Sequence, residues 1–156
     1  MKIKSLVTIP LLFVFIVSVS QEFPKIEESE RIKKLEPPNG KIRMVLDTDT
    51  YNEVDDQFAL CYALLSPEKI KLEAIYAAPF HNNRSSGPGD GMKKSYDEIL
   101  RLLKFMGKPA ENFAFKGSDS YLKNIKKPIE SDATRDLIKR AMKSSPEDPL
   151  YVVPVG

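Results

Sequence analysis

At 156 residues the chain is long enough for one domain with its own hydrophobic core. Charged residues make up 29%, apolar residues 42%, and the net charge is only +2, an ordinary globular balance. The lysines are interleaved with acids rather than gathered in a block, which argues against a nucleic-acid groove, and a single cysteine excludes an internal disulfide.

Residues 1–20 read as a secretory signal peptide. Lys2 and Lys4 give a basic start, Leu6 to Val19 is almost wholly apolar, and Ser18 and Ser20 are the small residues a signal peptidase reads. The apolar run is short against the roughly 20 residues of a membrane span. Cleavage after Ser20 is therefore expected, leaving a periplasmic or extracellular chain with no membrane attachment. Residues 21–41 are polar, rich in Glu, Lys and Pro, and read as a linker into the folded part, residues 42–156.

Ile42 to Leu46 fits a buried strand, and Asp47 to Val54 a polar loop. From Asp55 the pattern turns helical, with Phe58, Ala59, Cys61, Tyr62, Leu64 and Leu65 predicted as its apolar face and Pro67 as its stop. Cys61 there reads as a small hydrophobe rather than a nucleophile. In the second strand, Ile70 to Ala77, Ile70, Leu72, Ala74 and Tyr76 alternate with Lys71 and Glu73. A loop through His81, Asn82 and Asn83 leads to a long helix capped by Asp90 and ended by Gly107. Phe113 to Phe115 reads as a short strand, Ser131 to Lys143 as a helix with Ala133, Leu137, Ile138 and Ala141 on one face, and Leu150 to Val155 as a last apolar strand. Strands alternating with helices imply an α/β fold with a mostly parallel sheet and flanking helices. In such sheets ligands bind beyond the carboxyl ends of the strands, where the Asp47–Asp56 loop belongs.

That loop carries the chemistry. Asp47, Asp49, Glu53, Asp55 and Asp56, with Asn52 among them, place five carboxylates within ten residues. Like charges this close repel, so the loop needs a cation or heavy solvation. Oxygen donors without a Cys or His cluster point to calcium or magnesium rather than zinc, and calcium tolerates the looser geometry. Capping of a helix start explains Asp55 or Asp56 but not Asp47 and Asp49 as well. An EF-hand is excluded, since Asn52 stands where its glycine belongs and Phe58 where its closing Glu belongs.

Strand, Asp-x-Asp, loop, Asp-Asp and amphipathic helix together resemble the opening motif of the inosine-uridine-preferring nucleoside hydrolases. Here the motif is Met44-Val45-Leu46-Asp47-Thr48-Asp49, then Asn52-Glu53-Val54-Asp55-Asp56, then Phe58-Ala59-Leu60. Ala77 to Asn83, Phe115-Lys116-Gly117-Ser118 and Leu150 to Gly156 continue the resemblance, which covers the family's N-terminal half. It implies calcium-dependent hydrolysis of the N-glycosidic bond of a ribonucleoside. Asp49 and Asp56 would ligate calcium, with Asp49 also the general base on the attacking water. Asp55 would bind the ribose hydroxyls, Asn82 and Asn83 the ribose at the pocket rim, and Asp47 would support the loop by hydrogen bonding. Tyr51-Asn52-Glu53 departs from the small glycine-containing turn of many members. The family's distal half supplies a further calcium-ligating Asp, more ribose contacts and a His near the leaving base. His81, in the second loop, reads as a solvent-exposed residue rather than that His.

Two other readings stand beside this one. An exported, non-catalytic fragment or pseudoenzyme would bind a cation or sugar. A haloacid-dehalogenase-type phosphatase also begins with a strand and Asp-x-Asp. Such enzymes usually carry Thr or Val where this chain has Tyr51, and lack an Asp-Asp opening the next helix. The sequence leaves the oligomeric state open.

Overall fold

The computed structural model describes residues 25–156, so the signal peptide reading of residues 1–20 lies outside the described residues. The chain divides into two units, through Pro37 and from Pro38 onward. In the first, the segment expected to be linker holds a helix, α1 (Glu28–Leu35), with no buried side chain. Local charge supports it: Glu28 and Glu30 lie in the first turn, Lys33 and Lys34 in the last, and Glu28 pairs with Arg31 and Glu30 with Lys34. Composition alone reads such a stretch as linker because nothing in it can enter a core.

The second unit runs β1 (Ile42–Thr48), α2 (Val54–Leu64), β2 (Ile70–Ala77), α3 (Pro88–Phe105), β3 (Ala114–Lys116), α4 (Asp132–Ala141) and β4 (Leu150–Val155). Every pairing is parallel and the strand order is β3-β2-β1-β4. The expected parallel sheet with flanking helices is thus present. β1 continues two residues past its predicted end, because Asp47 and Thr48 still pair with Tyr76 and Ala77 on one side and with Pro154 and Val155 on the other.

Both faces of the sheet are covered, which is why β1 reads as a nearly continuous apolar run. On one face Met44, Leu46 and Ile75 pack with Leu60 and Ala63 of α2 and with Met92, Ile99, Leu102 and Leu103 of α3. On the other, Val45, Ala74 and Tyr76 meet Ala133 and Leu137 of α4, with Phe115 and Leu150 beside them. Gly91 lets α3 seat closely, since a Cβ there would stand 2.0 Å from the carbonyl oxygen of Phe80.

Two sequence expectations are corrected. The alternation predicted for β2 does not lie on one face: Ile70 and Leu72 join the first core cluster, Ala74 and Tyr76 the second. The register explains the switch, because Met44 pairs with Leu72 while Val45 pairs with Ala74, leaving Glu73 as an extra residue. Glu73 turns to Arg43, Lys71 and Arg140, and the hydrogen bonds and charges of Arg43 first and then Lys71 hold its pKa down at about 2. The apolar face predicted for α2 is also displaced. Asp56, Leu60 and Ala63 are buried, whereas Phe58, Tyr62 and Leu65 are exposed at 72%, 71% and 72%. A helix apolar on most sides carries no periodicity that selects one face.

Helix starts differ less. α3 begins at Pro88, and Asp90 sits in its first turn, accepting a hydrogen bond from the Ser86 amide. α4 starts as expected at Ser131, whose side chain and that of Thr134 form a reciprocal capping box.

Candidate metal centre

The strand order reverses at β1, which has β2 on one side and β4 on the other. Helices α2 and α3 pack on one face and α4 on the other. The carboxyl end of β1 is therefore the place where such sheets open a ligand crevice. The acidic loop leaves the sheet there and ends in the first turn of α2.

Asp47 and Thr48 point to opposite faces of β1. Asp47 shares the face of Val45 and lines a cavity of about 360 Å³ on the α4 side, together with Tyr76, Gly117, Leu122 and Leu137. Burial raises the pKa of Asp47, with no hydrogen-bonding or charged neighbour contributing. Thr48 faces the other way. Thr50 donates to Thr48 Oγ1 at 3.0 Å, which leaves the Thr48 hydroxyl to donate to Asp56 Oδ1 at 2.8 Å. Thr48, Thr50 and Asp56 are all buried, so this chain of hydroxyls holds Asp56 from beneath.

Asp49 follows the strand end and is 7% exposed. Its Oδ2 accepts from Asn52 Nδ2 at 3.0 Å. Its Oδ1 is buried and has no hydrogen-bond partner among the described residues. Burial first, and then the charge of Asp56, raise the pKa of Asp49, while the Asn52 amide opposes them. The close side of Oδ1 is occupied by Gly156, where a Cβ would stand 2.6 Å from that oxygen.

Glu53, Asp55 and Asp56 form the tightest carboxylate group, each offering an oxygen within 4.8 Å of the other two. Glu53 precedes α2 without capping it, Glu53 and Asp55 are exposed, and Asp56 is buried. This trio can coordinate a generic cation. Asp49 lies outside the trio but against Asp56. Among the described residues, no Lys or Arg forms an ion pair with any carboxylate of the loop.

In the loop after β2, Asn82 donates from Nδ2 to Asn52 Oδ1 at 2.5 Å. Arg84 donates to the Asn52 carbonyl oxygen. Asn83 and His81 are exposed. Asp49, Asp56 and Asp55 thus lie at one strand end, Asn82 reaches them through Asn52, and Asp47 faces the opposite side of the sheet.

Sequence reasoning left five contributors without a role. Glu53 was visible as one of five acids but had no assignment. The hydroxyls of Thr48 and Thr50, and Arg84 from the next loop, carry no sequence signal of their contacts. Gly156 reaches Asp49 only because β4 pairs with β1. Among the described residues, no helix is long and apolar enough to cross a membrane. No protein-family model matches the chain, and no curated protein or solved structure does either.

Proposed function

We propose that the loop at the end of β1 binds calcium, and that the chain serves calcium-dependent hydrolysis of the N-glycosidic bond of a ribonucleoside. The observation that carries this reading is Asp49: a buried carboxylate with an oxygen that has no partner among the described residues, beside a second buried carboxylate, and no Lys or Arg of the described residues pairs with either. Leaving such groups bare is costly, because buried charge demands a counter-charge or protonation. A divalent cation meets that demand, and the donors are all hard oxygens. Two exposed carboxylates beside the buried pair leave room for the larger, less regular coordination of calcium.

When bound, the cation supplies positive charge that makes a nearby water a stronger acid. The remaining chemistry is the chain's own. Asp49, with Oδ2 held by Asn52 and Oδ1 free to face the cation, would also serve as general base. Asp55, exposed in the first turn of α2, would accept hydrogen bonds from ribose hydroxyls. Asn82 and Asn83 would border the sugar from the adjoining loop. The sugar would leave its base through an oxocarbenium-like state. The ribohydrolase part of the reading rests on the resemblance of the Asp49–Asp56 motif, and the cation part on the geometry.

Thermal unfolding with and without calcium, alongside release of free base from inosine and uridine, tests both parts. At about a hundredfold excess over Kd, calcium should stabilise the chain by about 2.7 kcal/mol, and Asp49→Asn or Asp56→Asn should remove that response. An unchanged response in both variants would sink the metal assignment. A calcium response without base release would favour the non-catalytic cation- or sugar-binding reading.

A further inference from the structure

Asn52 occupies a singular place in the acidic loop. Its backbone N–H donates to the Asp49 carbonyl at 2.6 Å and its Nδ2 donates to Asp49 Oδ2 at 3.0 Å. The other end of the same amide, Oδ1, accepts from Asn82 Nδ2 at 2.5 Å, and its carbonyl accepts from the Arg84 guanidinium. One side chain therefore joins the buried carboxylate to the loop between β2 and α3. Only an amide does this, because it presents a donor to the carboxylate and an acceptor to the next amide. A carboxylate at position 52 would repel Asp49, and a hydroxyl or methyl would not span both partners.

The receiving loop is itself tied together. Asn82 Oδ1 accepts from the Arg84 amide at 2.9 Å, and the Asn82 carbonyl accepts from the Ser85 amide at 3.2 Å. Ser85 Oγ donates to the Phe80 carbonyl at 2.9 Å, and Lys94 of α3 donates to the Arg84 carbonyl at 2.7 Å. Asn82 and Arg84 are exposed, while Asp49 is buried. Exposed hydrogen bonds are individually weak, so the alignment of Asn82 on the acidic loop depends on how firmly Asp49 holds the Asn52 amide.

We infer that Asn52 is a positioning residue that couples the cation site to the β2–α3 loop, so that filling the site orders Asn82 to Ser85. The inference rests on the cation reading above. A cation held at Asp49 Oδ1 fixes the carboxylate plane, the carboxylate fixes the Asn52 amide through Oδ2, and the amide fixes Asn82. By linkage the coupling runs both ways, so whatever immobilises Asn82 tightens cation binding. The polar rim of the crevice thereby reports whether the ion is in place.

Calcium titration calorimetry on the full chain, with hydrogen exchange of the loop amides, tests the coupling in the native chain, Asn52→Ala, Asn82→Ala and the double variant. Each single variant should weaken calcium binding about tenfold, and the double no more than either, because one link is being cut twice. The melting midpoint of Asn82→Ala without calcium should stay at the native value. Calcium should slow exchange at residues 82–85 in the native chain and leave it unchanged in the variants. Asn82→Ala alters an exposed side chain and leaves the core untouched, so it keeps the test valid if Asn52→Ala misfolds. Native calcium affinity in both single variants, or loop exchange indifferent to calcium, overturns the coupling. If Asp49→Asn nonetheless abolishes calcium binding, the metal site stands and only the coupling fails. A native chain that binds no calcium overturns both.

Discussion

At the residue scale the chain's most consequential feature is the placement of Asp49. Its neighbours Thr48 and Thr50 are buried with it, and their hydroxyls serve Asp56 rather than Asp49. Asn52 supplies a donor to one oxygen, and among the described residues nothing supplies the other. Burial and Asp56 raise the pKa of Asp49. A carboxyl raised in the folded state contributes stability that is full below the unfolded value and is lost as pH rises through the folded one. In the calcium-free chain the contribution of Asp49 to stability should therefore fall from about pH 4 upward, and Asp49→Asn should remove that fall from the pH profile. Urea midpoints across the pH range without calcium measure it. An Asp49→Asn chain less stable than the native one at neutral pH would mean that the carboxylate has a stabilising partner.

At the element scale, α2 and β2 show where one-dimensional patterns stop. Phe58, Tyr62 and Leu65 recur at helical spacing, and so do Asp56, Leu60 and Ala63, and only the second set is buried. The position of the loop decides between them, because Asp56 must turn inward to meet the Thr48 hydroxyl. Leu60→Ala should cost about 2–5 kcal/mol, while Phe58→Ser should stay within about 0.5 kcal/mol. Denaturant unfolding of the two variants checks the assignment, and comparable losses in both would contradict it. In β2 the extra residue Glu73 moves the later half of the strand to the opposite face. No period of two can reveal such a shift, since the sequence on either side of the bulge still alternates.

At the scale of the whole second unit, the order β3-β2-β1-β4 decides what meets at the end of β1. Parallel pairing of β4 with β1 brings Gly156 against Asp49 Oδ1, with a backbone φ of +125°. A methyl group there would crowd the carboxylate and adopt a conformation that L-residues rarely hold. Gly156→Ala should weaken calcium binding about tenfold, a loss of about 1.4 kcal/mol, with calorimetry as the measure. Native affinity in that variant would show that the Asp49 oxygen facing Gly156 is not a ligand.

By itself, the sequence determined the α/β class, the strands β1, β2 and β4 to within a few residues, and the cluster of acids at the end of β1. These were legible because they are local: apolar runs, helical periods, a capping serine and a cluster of like charges each express themselves within a dozen residues or so. Only the tertiary structure decided which acids share a face, since the pleat sends Asp47 toward α4 while Thr48 and Asp56 meet on the other side. It also decided which flank of α2 is buried, that Asn82 and Arg84 reach the acidic loop through Asn52, and that Gly156 closes on Asp49. The physical reason is the same in each case. Burial and pairing between distant segments depend on the order and register of strands, and neither is encoded within any one stretch of chain.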